Sequence, residues 1–504
     1  MKKFFTFISG RLFLTCLLIF LQISAYIFIL YYLSGYSSYV YGFMTLLSIL
    51  FSLKIAVDET NTDFKVIWIF FLLAIPFFSW AFYLIIRRRK APVKSKKLYN
   101  DVNNRIFCEK DISLLQEIEN VDIKKQFGYI LSVSSHSLYN ETESEFFPTG
   151  EEFFKSLENN LKKAEKFIFL EYFIINKGKI WSRIFDILKE KAQNGVEVRI
   201  LYDDLGTIAL LPKSFEKELK QYGIKCAKFN VFSPSPDILI NYRDHRKIAV
   251  IDGIYSYTGG INLADEYATE TKKYGKWKDY GIMLKGKAVK EMTVMFLRLW
   301  GYSTSKAEEN LSEYLNVTPV KTDGLFIPFG DGPVNAENIT KNAYINMILS
   351  AKKYAYIITP YLIPDSETEA MIKLAAKSGV DVRIITPNIP DKWYVDAVTK
   401  SNYNSLIKAG VRIYEYKPGF IHAKSIISDD KAAILGTANF DFRSFYFLFE
   451  NSVLIYNSSV INNIKSDIIK CIEDSIEITE EMILKRNFIK KIYYSFMKFF
   501  APFM

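Results

Sequence analysis

Residues 245–267 read HRKIAVIDGIYSYTGGINLADEY, and residues 422–445 read HAKSIISDDKAAILGTANFDFRSF. Each stretch has a His, a Lys two residues later, an Asp five beyond the Lys, then a Gly and an Asn. The matched positions are His245 and His422, Lys247 and Lys424, Asp252 and Asp429, Gly259 and Gly436, and Asn262 and Asn439. The whole chain holds 3 His, and two of them occupy the same motif position. One pattern occurs twice.

Working outward from these stretches, the same order of segments precedes each. GEEFFKSLENNLKKA (150–164) has apolar residues at helical spacing and leads to the strand-like FIFLEYFII (167–175). Trp181–Gln193 is again helix-like and leads through Gly195 to VEVRILYDD (196–204). In the second half, Asn342–Lys352 leads to YAYIITPYLIP, then Glu367–Lys377 leads through Gly379 to VDVRIITPN. Such alternation predicts an α/β fold with a mixed sheet flanked by helices in each of two similar halves. Two copies indicate duplication rather than a solenoid, and the halves are expected to pack about a pseudo-two-fold axis.

Residues 12–34 (LFLTCLLIFLQISAYIFILYYLS) are uncharged and long enough to span a bilayer. Tyr39–Ile55 is shorter and carries Lys54, and Phe64–Ile86 is apolar after Lys65. A basic collar follows: Arg87, Arg88, Arg89, Lys90, Lys94, Lys96 and Lys97. By the positive-inside rule it keeps the rest of the chain in the cytosol. Lys2, Lys3 and Arg11 also favour an inside N-terminus, which three full spans would contradict. Either the N-terminus lies outside or the middle run is re-entrant. The boundaries read from the sequence are a transmembrane region over 1–90 and a collar and connector over 91–147. A first half (148–302), a linker (303–328), a second half (329–460) and a C-terminal helical region (461–504) follow. That region ends in LKRNFIKKIYYSFMKFFAPFM (484–504), whose Lys and Arg alternate with aromatic and aliphatic residues. Such a tail suits the headgroup layer of a membrane, and a helix docked on the core is the alternative.

Composition narrows the function. Of 504 residues, 50% are hydrophobic and 16% aromatic, which excludes a disordered chain. A net charge of +10 favours anionic partners, either nucleic acid or an anionic membrane surface. The 4 Cys (Cys16, Cys108, Cys226, Cys471) form no CxxC pair, which argues against a Cys-built zinc site and fits a reducing cytosol. His136 lies in a polar stretch and reads as a surface residue.

The duplicated His and Lys suit chemistry at phosphorus. One neutral imidazole can attack phosphorus while a second, protonated, donates to the leaving oxygen. Lys247, Lys424, Asn262 and Asn439 can hold non-bridging oxygens. In a strand, HxK places His and Lys on one face, and two such strands meeting would form one site from both halves. This chemistry calls for no metal and no cofactor.

The duplicated HxKxxxxD followed by GxxN resembles the signature of the phospholipase D superfamily. LEYFII (170–175), GGINLADEY (259–267), GKWKD (275–279), PYLIPD (360–365), AGVRIYEY (409–416) and GFIHAK (419–424) are similar, more narrowly, to bacterial cardiolipin synthases. The resemblance covers nearly the whole chain and implies two phospholipase D-like halves. It also implies phosphatidyl transfer between two phosphatidylglycerol molecules through a phosphatidyl-histidine, giving cardiolipin and glycerol. It makes His245 the nucleophile and His422 the acid and base. Glu450, 28 residues beyond His422, matches a carboxylate that orients the histidine, and Asp279 is its counterpart in the first half. Asp252 and Asp429 belong to the catalytic motif as participants or as supports. The chain departs from the family at Tyr280 and Gly281, where Thr-His is common, and at Leu448, where Asn is common; both bear on acceptor preference. The rival readings are hydrolysis or transfer to another alcohol, a nuclease, and an inactive lipid scaffold. The apolar runs oppose a nuclease, and two intact motifs oppose a scaffold. The expected location is the bacterial cell membrane, with the catalytic body on the cytoplasmic side.

Overall fold

The computed structural model describes residues 37–74, 93–106, 112–232, 241–268 and 274–504, with Ser24, Phe28, Tyr31, Tyr32 and Tyr83 besides. It divides into a small N-terminal unit and a large body.

In the N-terminal unit, helix α1 (Ser37–Ala56) turns through Asp58–Asn61 into helix α2 (Thr62–Ala74). Ile55, Trp68 and Leu72 are buried together, with Tyr83 edge-on to Trp68 at 5.3 Å. The rest of α1 turns apolar side chains outward, including Tyr39, Phe43, Leu46 and Leu53. Among the described residues, Ser38–Ala56 is the one helix long and apolar enough to cross a membrane. The middle run is thus a continuous helix. Lys54 falls in its last turn. Most of the 12–34 run, Arg87–Lys90 and most of the third run beyond Ala74 lie outside the described residues, as do Cys16 and Cys108.

The body holds one sheet plan twice. The first sheet contains β1 (Thr142–Phe147), β2 (Phe167–Tyr172), β3 (Glu197–Asp203), β4 (Lys225–Phe229), β5 (Lys247–Ile251), β6 (Tyr255–Gly259) and β7 (Gly281–Gly286). Its order is β1-β7-β6-β5-β2-β3-β4. The second contains β8 (Leu325–Asp331), β9 (Tyr354–Ile358), β10 (Asp381–Pro387), β11 (Arg412–Tyr416), β12 (Ser425–Ser428), β13 (Ala432–Gly436) and β14 (Leu448–Tyr456). Its order is β8-β14-β13-β12-β9-β10-β11, with β15 (Ser475–Ile478) added beside β11. Each strand of the second sheet repeats the place of the strand seven earlier. Parallel and antiparallel pairings also match pair for pair.

Local chemistry explains the repeated plan. Parallel strands need a crossover, supplied between β2 and β3 by a helix at Lys179–Gln193 and between β9 and β10 by one at Ser366–Lys377. Gly195 and Gly379 follow these helices with φ of +88° and +93°, and an added Cβ would meet nothing. The requirement is therefore conformational: a left-handed residue ends each helix and turns the chain into GV(E/D)VRI. β2 is buried on both faces, which accounts for its unbroken apolar run. Each half has its own core, around Ile168, Trp181 and Ile200 in the first and Ile357, Ile384 and Ile426 in the second.

Several expected boundaries shift. β1 joins the first sheet ahead of residue 148, β8 begins inside the expected linker, and β15 lies beyond residue 460. The halves join through backbone. Leu448 and Phe449 pair in parallel with Arg243 and Asp244, and Lys278 pairs with Ile421. Both junctions lie immediately ahead of a motif histidine.

Candidate active site

At the first junction, the His245 N–H donates to the Phe449 carbonyl at 2.9 Å. Its Nδ1 lies 3.0 Å from both carboxylate oxygens of Glu450. The Thr437 hydroxyl donates to Glu450 Oε2. At the second junction, the His422 N–H donates to the Lys278 carbonyl at 2.7 Å, and Nδ1 lies 2.6 Å from Asp279 Oδ2. Asp279 Oδ1 accepts the Tyr280 N–H at 2.8 Å. In both places the residue before the carboxylate takes the histidine's backbone N–H. Strand pairing between the halves therefore sets imidazole against carboxylate.

Same-half pairing, expected from the sequence, does not occur. Glu450 of the second half orients His245, and Asp279 of the first half orients His422. The exchange follows from the two junctions, each of which brings one half's carboxylate strand beside the other half's histidine. Neither half has a complete dyad alone.

Lys247 Nζ donates to the His245 carbonyl at 2.5 Å, and Lys424 Nζ donates likewise to that of His422. Both lysines, both histidines and both carboxylates are buried. Burial lowers the His245 pKa to about 4, against the pull of Glu450. It lowers His422 well below its ordinary value, with Lys424 and Lys247 adding to the effect. Burial also brings Lys247 down to about 8 and Lys424 to about 7. The lysine of each half acts on the histidine of the other, so the groups form one cluster.

The two carboxylates differ. Burial pushes Glu450 up, but His245, Lys247 and Thr437 outweigh it and hold the group below its ordinary range. In Asp279 burial prevails over Lys424, and the pKa rises to about 7. At neutral pH Glu450 is an anion that keeps the proton of His245 on Nδ1 and leaves Nε2 with a free lone pair. Asp279 is pushed by its burial toward the protonated form.

The two motif asparagines serve their own loops. Asn262 Oδ1 accepts the Ile174 N–H at 3.0 Å, and its Nδ2 donates to the Tyr267 hydroxyl at 2.7 Å. Asn439 Nδ2 donates to Asp441 at 3.1 Å, while its buried Oδ1 has no partner among the described residues.

Asp252 and Asp429, read as catalytic candidates, are not part of the cluster. Asp252 accepts the backbone N–H groups of Glu165, Lys166 and Phe167 at 2.7–2.8 Å. Asp429 does the same for Lys352, Lys353 and Tyr354 at 2.7–2.9 Å. Both sit at hairpin turns with φ of +55° and +52°, clasping the turn to the loop that enters β2 or β9. Asp252→Ala is expected to cost about 1–3 kcal/mol in chemical denaturation. Turnover per folded molecule should stay near wild type, and a hundredfold loss would return Asp252 to the chemistry.

Some site residues carry no signal in the motif. Thr437 fixes the second carboxylate oxygen of Glu450. The Phe173 ring centre lies 5.1 Å from that of His245, and Trp277, Tyr267 and Phe420 surround His422 at 5.4–5.7 Å. Gly260 matters through contact: a Cβ there would sit 2.0 Å from Asp279 Oδ1. Gly260→Ala should push Asp279 off His422 and lower kcat by about 10²–10⁴-fold, the range for loss of a general acid. Unchanged kcat in the folded variant would contradict the Asp279–His422 assignment.

His136 is buried rather than exposed. Its Nδ1 lies 2.8 Å from Glu291, and its Nε2 accepts the Gly330 N–H at 2.9 Å. The polar sequence around it hides a structural link between the connector, the helix carrying Glu291 and β8.

Comparisons with known proteins agree with this architecture. A model of the cardiolipin synthase, phospholipase D-like domain matches residues 157–300 and 344–472, one stretch in each half. An uncharacterized protein of Streptococcus mutans is 41% identical over 74% of this chain and 81% of its own. Cardiolipin synthases of Alkalihalophilus pseudofirmus and Halalkalibacterium halodurans are 36% and 33% identical. These cover 86% and 91% of this chain, and 88% and 92% of their own. Among solved structures, phosphatidylserine synthase of Haemophilus influenzae Rd KW20 shares the fold. It matches with a TM-score of 0.55 at 16% identity, over 71% of this chain and 93% of its own. A domain model that matches more than half of the residues, and relatives above 30% identity along most of them, place this chain in the cardiolipin synthase family of phospholipase D-like proteins.

Proposed function

We propose that this chain is a membrane cardiolipin synthase that transfers a phosphatidyl group from one phosphatidylglycerol to a second. The observation that carries the reading is the crossed pair of buried histidine–carboxylate dyads in one cluster with two lysines. His245 Nε2 attacks phosphorus, the bond from phosphorus to the glycerol oxygen breaks, and His422 gives that oxygen a proton. The terminal hydroxyl of a second phosphatidylglycerol then returns a proton to His422 and attacks phosphorus. The N–P bond breaks, giving cardiolipin; two phosphatidylglycerols become one cardiolipin and one glycerol. Lys247 and Lys424 hold the phosphate oxygens, and the anion itself favours their charged forms. The difference between the carboxylates supports these roles. An anionic Glu450 suits a nucleophile, and a proton held by Asp279 can pass to Nδ1 of His422 as Nε2 gives one up.

The membrane setting rests on two features, each within its own unit. α1 supports an anchor, and the further apolar runs read from the sequence would make the region multi-pass with the body in the cytosol. At the other end, a helix at Phe488–Phe499 buries Tyr494 and leaves Phe488, Ile489, Ile492 and Phe496 exposed. Exposed Trp393 stacks on Tyr493 at 6.4 Å, beside a segment that carries Lys485, Lys490 and Lys491. An apolar ridge with lysines around it suits an anionic bilayer surface.

The pH dependence is a direct consequence. His245 must be neutral, which holds above about 4. Asp279 must hold a proton and Lys424 must be charged, and both conditions fail as pH rises through about 7. The kcat/KM for glycerol release should plateau between these values and fall on the alkaline side; a profile flat from pH 6 to 9 would contradict it. The reading itself is tested with the purified chain in phosphatidylglycerol vesicles, with lipid products and glycerol followed by mass spectrometry. Equimolar cardiolipin and glycerol are expected. Phosphatidic acid with glycerol and no cardiolipin would make water the acceptor and the chain a hydrolase.

A further inference from the structure

We infer that the body has a second binding site, for a phosphate-bearing anion, on the opposite side of the His245 segment from the catalytic cluster. A cavity of about 300 Å³ lies beside the helix at Val93–Arg105 and the helix at Val289–Thr304. Its volume is at the lower end of ligand pockets, which run about 300–1,000 Å³. Lys96, Arg246 and Arg298 line it together with Asn100 and Asn103, and among the described residues no Asp or Glu does. Successive side chains of an extended segment point opposite ways, so Arg246 faces this cavity while His245 faces the cluster.

The two arginines make this more than a polar hollow. Arg298 is 4% exposed; its Nε donates to the Ile106 carbonyl at 3.0 Å and one Nη to the Ser135 hydroxyl at 2.7 Å. Its other Nη is buried without an acceptor among the described residues. Arg246 is 2% exposed and lies over the Phe449 ring; one Nη donates to the Asp331 carbonyl at 3.5 Å, and among the described residues its Nε is buried without an acceptor. The acids nearby accept from donors of their own, although Arg298 also helps to hold Glu291 in its charged form. Glu291 accepts from His136, Ser137 and Tyr139, and Asp331 from Gly332, Asn335 and Thr340. Asp244 and Glu171, which attract Arg246, are both driven by burial toward their neutral forms.

Buried guanidinium groups with unmet N–H donors call for an acceptor that carries charge. A tetrahedral phosphate fits, because planar N–H forks match its oxygens, with Lys96 at the exposed rim and the two Asn amides beside it. The group could come from an anionic phospholipid headgroup or from free phosphate. The site takes no part in the transfer steps, so its test does not depend on turnover.

Isothermal titration of the full chain in uncharged detergent with inorganic phosphate provides that test. Two classes of site are expected, one at the catalytic lysines and one in the cavity. Arg298→Gln should weaken the cavity class about tenfold or more. Lys96→Gln, at an exposed position that leaves folding intact, should weaken it about threefold and decides the matter if Arg298→Gln does not fold. Repeating the titration in nanodiscs separates the sources. A lipid headgroup in the cavity would abolish the cavity class in phosphatidylglycerol discs and spare it in phosphatidylcholine discs. A site for free phosphate would show it in both. The same isotherm for wild type, Arg298→Gln and Lys96→Gln would overturn the proposal.

Discussion

His245→Ala should lower cardiolipin formation by about 10⁶-fold, the scale seen when a covalent nucleophile is removed. The loss should be the same for every donor lipid, because no other group can form the bond to phosphorus. His422→Ala should lose about 10²–10⁴-fold on phosphatidylglycerol, whose alkoxide leaving group needs a proton. A donor that releases p-nitrophenolate needs none, so His422→Ala should release p-nitrophenolate in its first turnover at most of the wild-type rate while transfer to the acceptor stays slow, and His245→Ala should release none. Rescue of His245→Ala in place of His422→Ala would exchange the two roles. Rescue of neither would remove the division into nucleophile and acid.

The second large effect concerns the crossing of the carboxylates. Glu450→Gln should cost about 10²–10⁴-fold, because the amide no longer stabilises the imidazole in its working tautomer and charge state. Its partner in space is His245, at 3.0 Å. Glu450→Gln should therefore behave like a nucleophile defect and stay slow with the p-nitrophenyl donor. Asp279→Asn should behave like an acid defect and be rescued. Pairing within each half would give the reverse pattern, so a single substrate distinguishes the two geometries. In the His245→Ala background, Glu450→Gln should add almost nothing, since one group acts through the other.

What could be read from the sequence follows from the range of the interactions. The duplicated fold was legible because Gly195 and Gly379 end equivalent helices, and each half repeats apolar runs that report local burial. The histidines and lysines were legible because HxK is a short-range pattern within one segment. The partner of each histidine was not, because that choice depends on which strand of one half pairs with the segment ahead of the motif in the other. Asp252 and Asp429 stayed open between participant and support, because they are invariant between the copies, yet each makes the same local clasp to a neighbouring loop. His136 misled because Ser and Asn neighbours suggest exposure, while Glu291 lies 155 residues away in the chain. Thr437 and Gly260 act through single contacts that no periodicity marks.

In the proposed reaction the phosphatidyl group is carried on His245 in a site built from both halves. His422→Ala mixed with the p-nitrophenyl donor, quenched without acid and digested, measures this most directly. Peptide mass spectrometry should find the phosphatidyl adduct on the peptide that carries His245 and no other. An adduct on a different residue, or p-nitrophenolate released in a stoichiometric burst with no adduct on His245, would contradict the account.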